Sequence, residues 1–346
     1  SEQSKHCAGL YVCEMITSRG IVERDRKTLQ MLQFDSGESV RSVQLYGVDP
    51  AIMAGATEIL CNEYGVDHVD LNFGCPVPKV TRKGGGAALP YKRERLRMIL
   101  TASVRAAARY GVPVTIKTRI GIDRDHQTFL DAGRIAEESG CAAIALHGRT
   151  AQQAYAGQAD WDAISALKQH VSIPVLGNGD IWEAADALRM IRRTGVDGVV
   201  VGRGCLGRPW LFRDLADAFA GRQTRTLPNL GEVMGMLRRH AELLMGLSDE
   251  LHGLSDLRKH MAWYFKGFPI GGELRHRLSM VSSLAELDSL LSQLDPNVSF
   301  PTSELGSPRG RQGAPRATVA LPDGWLADTS GCDLDLAAAE LGTSGG

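Results

Sequence analysis

Close cysteine pairs, long apolar runs and an excess of one charge are all missing from this chain. Its seven cysteines, at 7, 13, 61, 75, 141, 205 and 331, are scattered, and no two stand at the spacing of a zinc or iron–sulfur site. An odd, dispersed set fits a reducing cytoplasm better than a disulfide framework. No apolar run approaches the ~18 residues needed to span a bilayer, and the amino end is polar rather than a signal peptide. Lysine and arginine number 39 against 40 acidic residues, so global charge does not drive nucleic-acid binding and only a local patch could. No membrane and no metal partner is therefore expected. At 346 residues the chain can hold one large core, or a large and a small domain.

What is present is a strand–helix rhythm. Apolar strands are predicted at 10–14, 41–46, 67–71, 112–117, 141–146, 173–177 and 197–201. Helical patterns fall between them near 51–64, 91–110, 126–139, 160–169, 182–194 and 210–219. Short apolar strands separated by amphipathic helices imply a parallel sheet covered by helices, an α/β fold. The sequence shows seven such strands, whereas a (β/α)8 barrel of the TIM type closes with eight. The barrel is expected over residues 9–220.

A second region follows. Helices are predicted at 230–247, at 256–265 with an aromatic cluster, at 273–281 and at 285–294, the last capped by a serine pair. They make a small bundle over 222–296, read either as a packing appendage or as a binding domain. Residues 297–346, rich in Pro, Gly, Ser and Thr, read as a disordered tail.

The chemistry gathers at strand ends. Val69-Asp70-Leu71-Asn72-Phe73-Gly74-Cys75-Pro76 runs an apolar strand into a tight turn bearing an amide, a glycine and a thiol. Asn72 can hydrogen-bond a planar polar ring, Gly74 allows close backbone approach, and Cys75 can give or take a proton; a buried structural thiol is the plain alternative. Gly177-Asn178-Gly179-Asp180 and Gly202-Arg203-Gly204 each follow an apolar strand, as glycine-rich phosphate loops do after late barrel strands, or as tight turns do anywhere. Lys117 closes another strand and should point over the barrel mouth, where a buried ammonium needs an anion. His147 ends a further strand and is either a ligand contact or a hydrogen-bonded core histidine.

These blocks, with Ser42-Val43-Gln44-Leu45-Tyr46-Gly47, Gly84-Gly85-Gly86-Ala87-Ala88-Leu89, Ile116-Lys117-Thr118-Arg119 and His147-Gly148-Arg149-Thr150, resemble the tRNA-dihydrouridine synthases, in order and spacing, over about residues 9–295. The resemblance implies reduction of a tRNA uridine by bound FMN, with NADPH as electron donor and tRNA as partner of a monomeric, cytoplasmic enzyme. It makes Cys75 the acid that protonates C5 while hydride arrives at C6. A thiol of pKa ~8.5 is protonated at neutral pH and suits that role. Asn72 would hold the uracil and Arg149, read as exposed on its loop, would serve substrate or phosphate. Gln44 and Lys117 would meet the flavin ring edge, with Lys117 stabilising charge that develops there. His147 would touch the flavin phosphate or ring, and Asn178, Gly179, Asp180, Gly202 and Arg203 would form the phosphate cradle. The family's opening strand and its Met-Ala-Gly-like loop have no counterpart ahead of Leu10, so a truncated start and an open barrel are expected.

Substrate size is suggested by charge. Lys79, Arg82, Lys83, Lys92, Arg93, Arg95 and Arg97 face only Glu94, a basic apron suited to a polyanion, although charge runs are often just solvated faces. Arg258, Lys259, His260 and Lys266 beside Trp263, Tyr264 and Phe265 form a second patch. Two further readings stay open: an FMN barrel oxidoreductase for a free pyrimidine or other small ring, and a truncated, inactive RNA-binding chain.

Overall fold

The computed structural model describes residues 9–223 and 225–330. Seven strands, β1 (Ile16–Thr17), β2 (Ser42–Tyr46), β3 (His68–Phe73), β4 (Val114–Arg119), β5 (Ala143–His147), β6 (Val175–Asn178) and β7 (Gly198–Val200), form one sheet in sequence order. Every neighbouring pair is parallel. Helices α1 (Ser18–Val22) and α2 (Arg26–Gln30) follow β1, α3 (Pro50–Glu63) follows β2, and α4 (Pro78–Thr81) and α5 (Arg93–Ala108) follow β3. Then α6 (Phe129–Glu138), α7 (Trp161–His170), α8 (Ala184–Thr194) and α9 (Leu211–Phe219) follow β4 to β7 in turn. This is a TIM-type barrel left incomplete: among the described residues β1 and β7 do not pair, and β7 is half-buried along its length.

Local chemistry accounts for these elements. Asp49 caps α3 by accepting from Ala51 and Ile52, and Pro50 sits at the first helical position, where a missing N–H costs nothing. Met53, Ala56, Thr57, Leu60 and Cys61 then recur at helical spacing and bury one face. Asp160 caps α7 in the same way, accepting from Asp162 and Ala163. Strand β3 carries apolar residues at alternate positions, and its Val69, Leu71 and Phe73 are fully buried with Ile116 of β4.

Three expectations need correction. The first strand lies at Ile16–Thr17 and not at 10–14, because Leu10 and Val12 stay 48% and 41% exposed and Val12 makes only an isolated bridge to Ser42. The second bundle helix begins at Glu250, six residues earlier than its aromatic cluster suggested, because Asp249 caps it by accepting from His252. Finally, residues 297–330 are not a disordered tail. They pack along the barrel, with Arg309 and Trp325 only 3% and 2% exposed; the remainder of the expected tail lies outside the described residues. Composition misled here because a segment without periodicity can still be anchored by a few buried side chains.

The bundle comprises α10 (Leu230–Leu247), α11 (Glu250–Tyr264), α12 (Gly272–Leu278) and α13 (Leu284–Leu291), around a core of its own that includes Leu237, Leu257, Met261 and Leu287. Ser283 caps α13 by accepting from Glu286. Among the described residues no helix is long and apolar enough to cross a membrane.

Candidate active site

The carboxyl ends of the strands open onto a cavity of about 1010 Å3. Gln44, Asn72, Cys75, Lys117, His147, Asn178, Gly179, Asp180, Gly202 and Arg203 all line it, and Arg149 does not. Parallel register is what assembles them: Asn72 pairs with Lys117, Arg119 with His147, and His147 with Asn178. The cavity also runs along the open side of β7, where Val199 and Leu215 border it, and Leu10 to Cys13 line the same side. There the Tyr11 ring stands edge-on to Phe212 at 5.0 Å.

Cys75 sits on a turn built by Asn72, whose Oδ1 accepts from the backbone of Gly74 at 3.1 Å and of Cys75 at 2.9 Å. Behind it, Ala87 N–H donates to the Cys75 carbonyl at 3.0 Å. Gly86 makes that approach possible: its φ is +54°, and a Cβ there would stand 2.4 Å from the same carbonyl oxygen. Burial pushes the Cys75 thiol above its ordinary pKa, against smaller opposing effects that include the charges of Arg119, Arg316 and Lys117. The thiol is therefore protonated at neutral pH.

A chain of polar side chains runs through the barrel to this turn. Ser42 Oγ meets His68 Nδ1 at 2.7 Å, and His68 Nε2 meets Thr115 Oγ1 at 2.9 Å. Thr115 donates to Asp70 at 2.5 Å, Gln44 donates to Asp70 at 2.6 Å, and Asn72 Nδ2 donates to Gln44 Oε1 at 2.8 Å. Each of the Asn72 and Gln44 amides thus keeps one N–H for a ligand.

Lys117 lines the cavity with no carboxylate at ion-pair distance among the described residues. Burial, and then the charge of Arg119, push its pKa down to about 8. His147 is held neutral, well below its ordinary pKa, by burial and by Arg119, Lys117 and Arg149. Arg149 Nη1 lies 3.4 Å from His147 Nε2, which makes Nε2 an acceptor and puts the ring proton on Nδ1.

Arg149 departs from expectation. At 1% exposure it cannot reach a substrate from a loop surface. Its guanidinium is spent on Asp180 (2.8 and 2.9 Å) and on the carbonyls of Ala156 and Gly157. Asp180 also accepts from Ala159 N at 2.6 Å, so this carboxylate braces the site instead of cradling an anion. The Asn178 side chain likewise ties β6 to β7 by donating to the Val200 carbonyl at 2.7 Å.

Arg119 and Tyr155, which were not among the expected site residues, bring a cation and a ring to the cavity wall. Buried Arg119 donates to the carbonyls of Gly74 (2.8 Å) and Ala154 (2.8 Å), and burial pushes its pKa down to about 10. Tyr155 lies between two guanidinium groups, Arg203 at 4.3 Å and Arg119 at 5.6 Å from the ring centre. The only sequence signal for Arg119 was its place two residues after Lys117, on the same strand face.

Part of the basic apron is taken up inside the protein. Lys92 and Arg95 are buried, Arg93 pairs with Asp131 at 2.7 Å, and Arg97 pairs with Glu138 at 2.6 Å. In the second patch Lys259 pairs with Asp256, Lys266 pairs with Glu304, and Arg258 donates to the Val281 carbonyl. Packing α5 beside α6 brought Arg93 and Arg97 to carboxylates, while Lys259 pairs within α11 itself.

The family model described as "Dus: Dihydrouridine synthase (Dus)" matches residues 4–299. A curated "Probable tRNA-dihydrouridine synthase" from Mycobacterium tuberculosis H37Rv is 56% identical over 347 residues, covering 99% of this chain and 89% of that protein. A protein of the same name from Mycobacterium leprae is 56% identical over 340 residues, with 98% and 88% covered. "tRNA-dihydrouridine synthase B" of Pseudomonas aeruginosa is 40% identical over 269 residues, with 78% and 80% covered.

Proposed function

This chain belongs to the dihydrouridine synthase family, and on that premise we propose that it reduces a uridine of tRNA to 5,6-dihydrouridine, with FMN bound and NADPH as electron donor. The observation that carries the reading is the protonated Cys75 thiol on its braced turn, opening onto the cavity that Lys117 also lines.

The residues present suit FMN. Lys117 brings an ammonium without a carboxylate partner among the described residues, the donor an anionic ring edge requires. Gln44 keeps a free amide N–H beside it, and the turns at Gly179 and Gly202, with Arg203, supply the donors of a phosphate site. Asn178 and Asp180 act behind these residues, by holding the strand end and Arg149. When bound, reduced FMN supplies the hydride equivalent that uracil C6 receives.

The protein's own part is orientation and proton delivery. Asn72 has one amide N–H left for the uracil edge while its oxygen fixes the turn. Cys75 Sγ gives its proton to C5, and the resulting thiolate is stabilised by the nearby charges of Arg119 and Lys117 until solvent reprotonates it. Hydride at C6 and proton at C5 together saturate one C=C bond, and one NADPH becomes NADP+.

The test is to load the purified chain with FMN, desalt it, and read its visible spectrum. The loaded protein is then given NADPH and unmodified tRNA, and dihydrouridine is sought by mass spectrometry of the nucleosides. Product from tRNA and none from free uridine is expected. Reduction of a free pyrimidine alone would favour the small-ring reading. A protein that retains no FMN would overturn the enzyme reading and leave the RNA-binding one.

A further inference from the structure

The family match ends at residue 299, yet the described chain continues to residue 330 and meets two residues of the cavity wall, Arg203 and Pro76. Lys266 of the bundle holds Ser307 at 2.6 Å and the Pro308 carbonyl at 2.8 Å. Arg309 donates to the carbonyls of Leu206 (3.1 Å) and Trp263 (2.8 Å), and Arg203 donates to the Arg311 carbonyl at 2.6 Å. The strap then clamps the loop after β5. Arg316 N–H donates to the Gln152 carbonyl at 2.9 Å, and the Gln152 side chain donates to the Ala317 carbonyl at 3.0 Å. Farther on, Trp325 donates to the Ala88 carbonyl at 3.1 Å and packs over Gly84, where a Cβ would stand 2.4 Å from the indole. Lys92 lies 5.0 Å from the Trp325 ring centre, and Arg93 N–H reaches the Thr329 carbonyl at 2.8 Å. Anchored at both ends, the strap has a defined path past the catalytic turn.

On that path the half-buried Arg316 side chain reaches the Pro76 carbonyl, one residue from Cys75. Its charge is felt at the thiol. Among the described residues no carboxylate pairs with it, in contrast to Arg93, Arg97, Lys259 and Lys266. One N–H of the guanidinium is used by Pro76, which leaves a fork of donors beside the place where a uridine must present C5. A uridine within RNA brings a phosphate on either side, and a flipped base draws those phosphates to the rim.

Resting on the RNA-uridine reading above, we propose that Arg316 is a phosphate-binding residue of the substrate site, carried to the side of Cys75 by the C-terminal strap and not by the barrel. The barrel then supplies the chemistry, and an element outside the family match supplies a grip on the substrate backbone.

Two full-length, FMN-loaded variants test this. Arg316→Gln keeps an N–H for the Pro76 carbonyl and removes the charge, whereas Arg316→Lys keeps the charge and loses the fork. Flavin retention after desalting and the thermal midpoint check that each is folded. For Arg316→Gln the KM for tRNA is expected to rise about tenfold, with kcat falling far less, as for loss of one charged hydrogen bond. The slope of log KM against log salt should shrink by just under one, the loss of a single phosphate contact, and Arg316→Lys should recover most of that slope. An unchanged KM and salt slope in Arg316→Gln would overturn the proposal, as would a fall in kcat at constant KM, which would mark Arg316 as positioning the Cys75 turn only. Failure of the RNA reading itself is seen separately, as wild-type protein that holds flavin and makes no dihydrouridine in tRNA; it takes the role of Arg316 with it.

Discussion

Asn72 Oδ1 accepts the backbone N–H of Cys75 at 2.9 Å, so the side chain expected to hold the uracil also shapes the turn that carries the acid. Its other amide atom is tied to Gln44 at 2.8 Å, at the end of a polar chain that begins at Ser42. On the proposed reading, substrate recognition and proton delivery would share one residue. Replacing Asn72 by Ala leaves two backbone N–H groups without their acceptor, at a cost of about 1–2 kcal/mol, and turnover should fall by about tenfold or more. Denaturant unfolding and single-turnover kinetics on tRNA measure the two effects, and a variant with normal turnover would remove Asn72 from the site.

Cys75→Ala should lower dihydrouridine formation by about 10²–10⁴-fold, the usual worth of a positioned acid. The pH dependence carries a sign. The acid works in its protonated form, and burial raises the thiol pKa from an ordinary 9.0, so activity is retained below that range and lost as pH rises through the raised value. A profile that instead falls in the neutral range would assign the acid to another group.

Lys117 is costly to the empty pocket. Its pKa is near 8 in the folded protein against an ordinary 10.5, so the unfolded chain binds more protons between those values. The flavin-free protein should accordingly gain stability as pH rises from about 8 towards 10.5, and Lys117→Met should abolish that gain. The same variant should bind FMN about 10–100-fold more weakly at neutral pH, because a charge-assisted contact is lost. Wild-type affinity should decline as pH passes 8, where the ammonium loses its proton. Thermal melts across pH and flavin titrations test both halves.

Arg149 and Asp180 pair at the cavity wall, with the arginine side chain 1% and the carboxylate 20% exposed. Arg149→Met removes the arginine from Asp180 and leaves the carbonyls of Ala156 and Gly157 without their donor, and should destabilise the protein by about 1–3 kcal/mol. Arg149→Lys should restore little, since one ammonium cannot span Asp180 and the carbonyls of Ala156 and Gly157 together. If Arg149 were instead a surface substrate contact, either variant would raise KM without moving the unfolding midpoint.

Much of this was legible in the residues. Alternating apolar strands and capped helices state the fold, since burial and period depend only on neighbours in the chain. The strand-end blocks around Cys75, Lys117, His147 and Gly179 could be placed at one mouth, because parallel strands joined by helices all finish on the same side. The clusters of positive charge could not be judged, because Arg93 and Arg97 find Asp131 and Glu138 only when α5 lies beside α6.

By itself, then, the sequence determined the architecture, the mouth at which the chemistry gathers and the identity of the thiol there, because each follows from local pattern and chain direction. Tertiary structure alone decided the rest. It set the register that joins Asn72 to Lys117, sent Arg149 inward to Asp180 while Arg119 came to the cavity, and laid Arg316 on Pro76 from 240 residues away. Those outcomes depend on which side chains meet across strands and loops, and such meetings leave no periodicity to read.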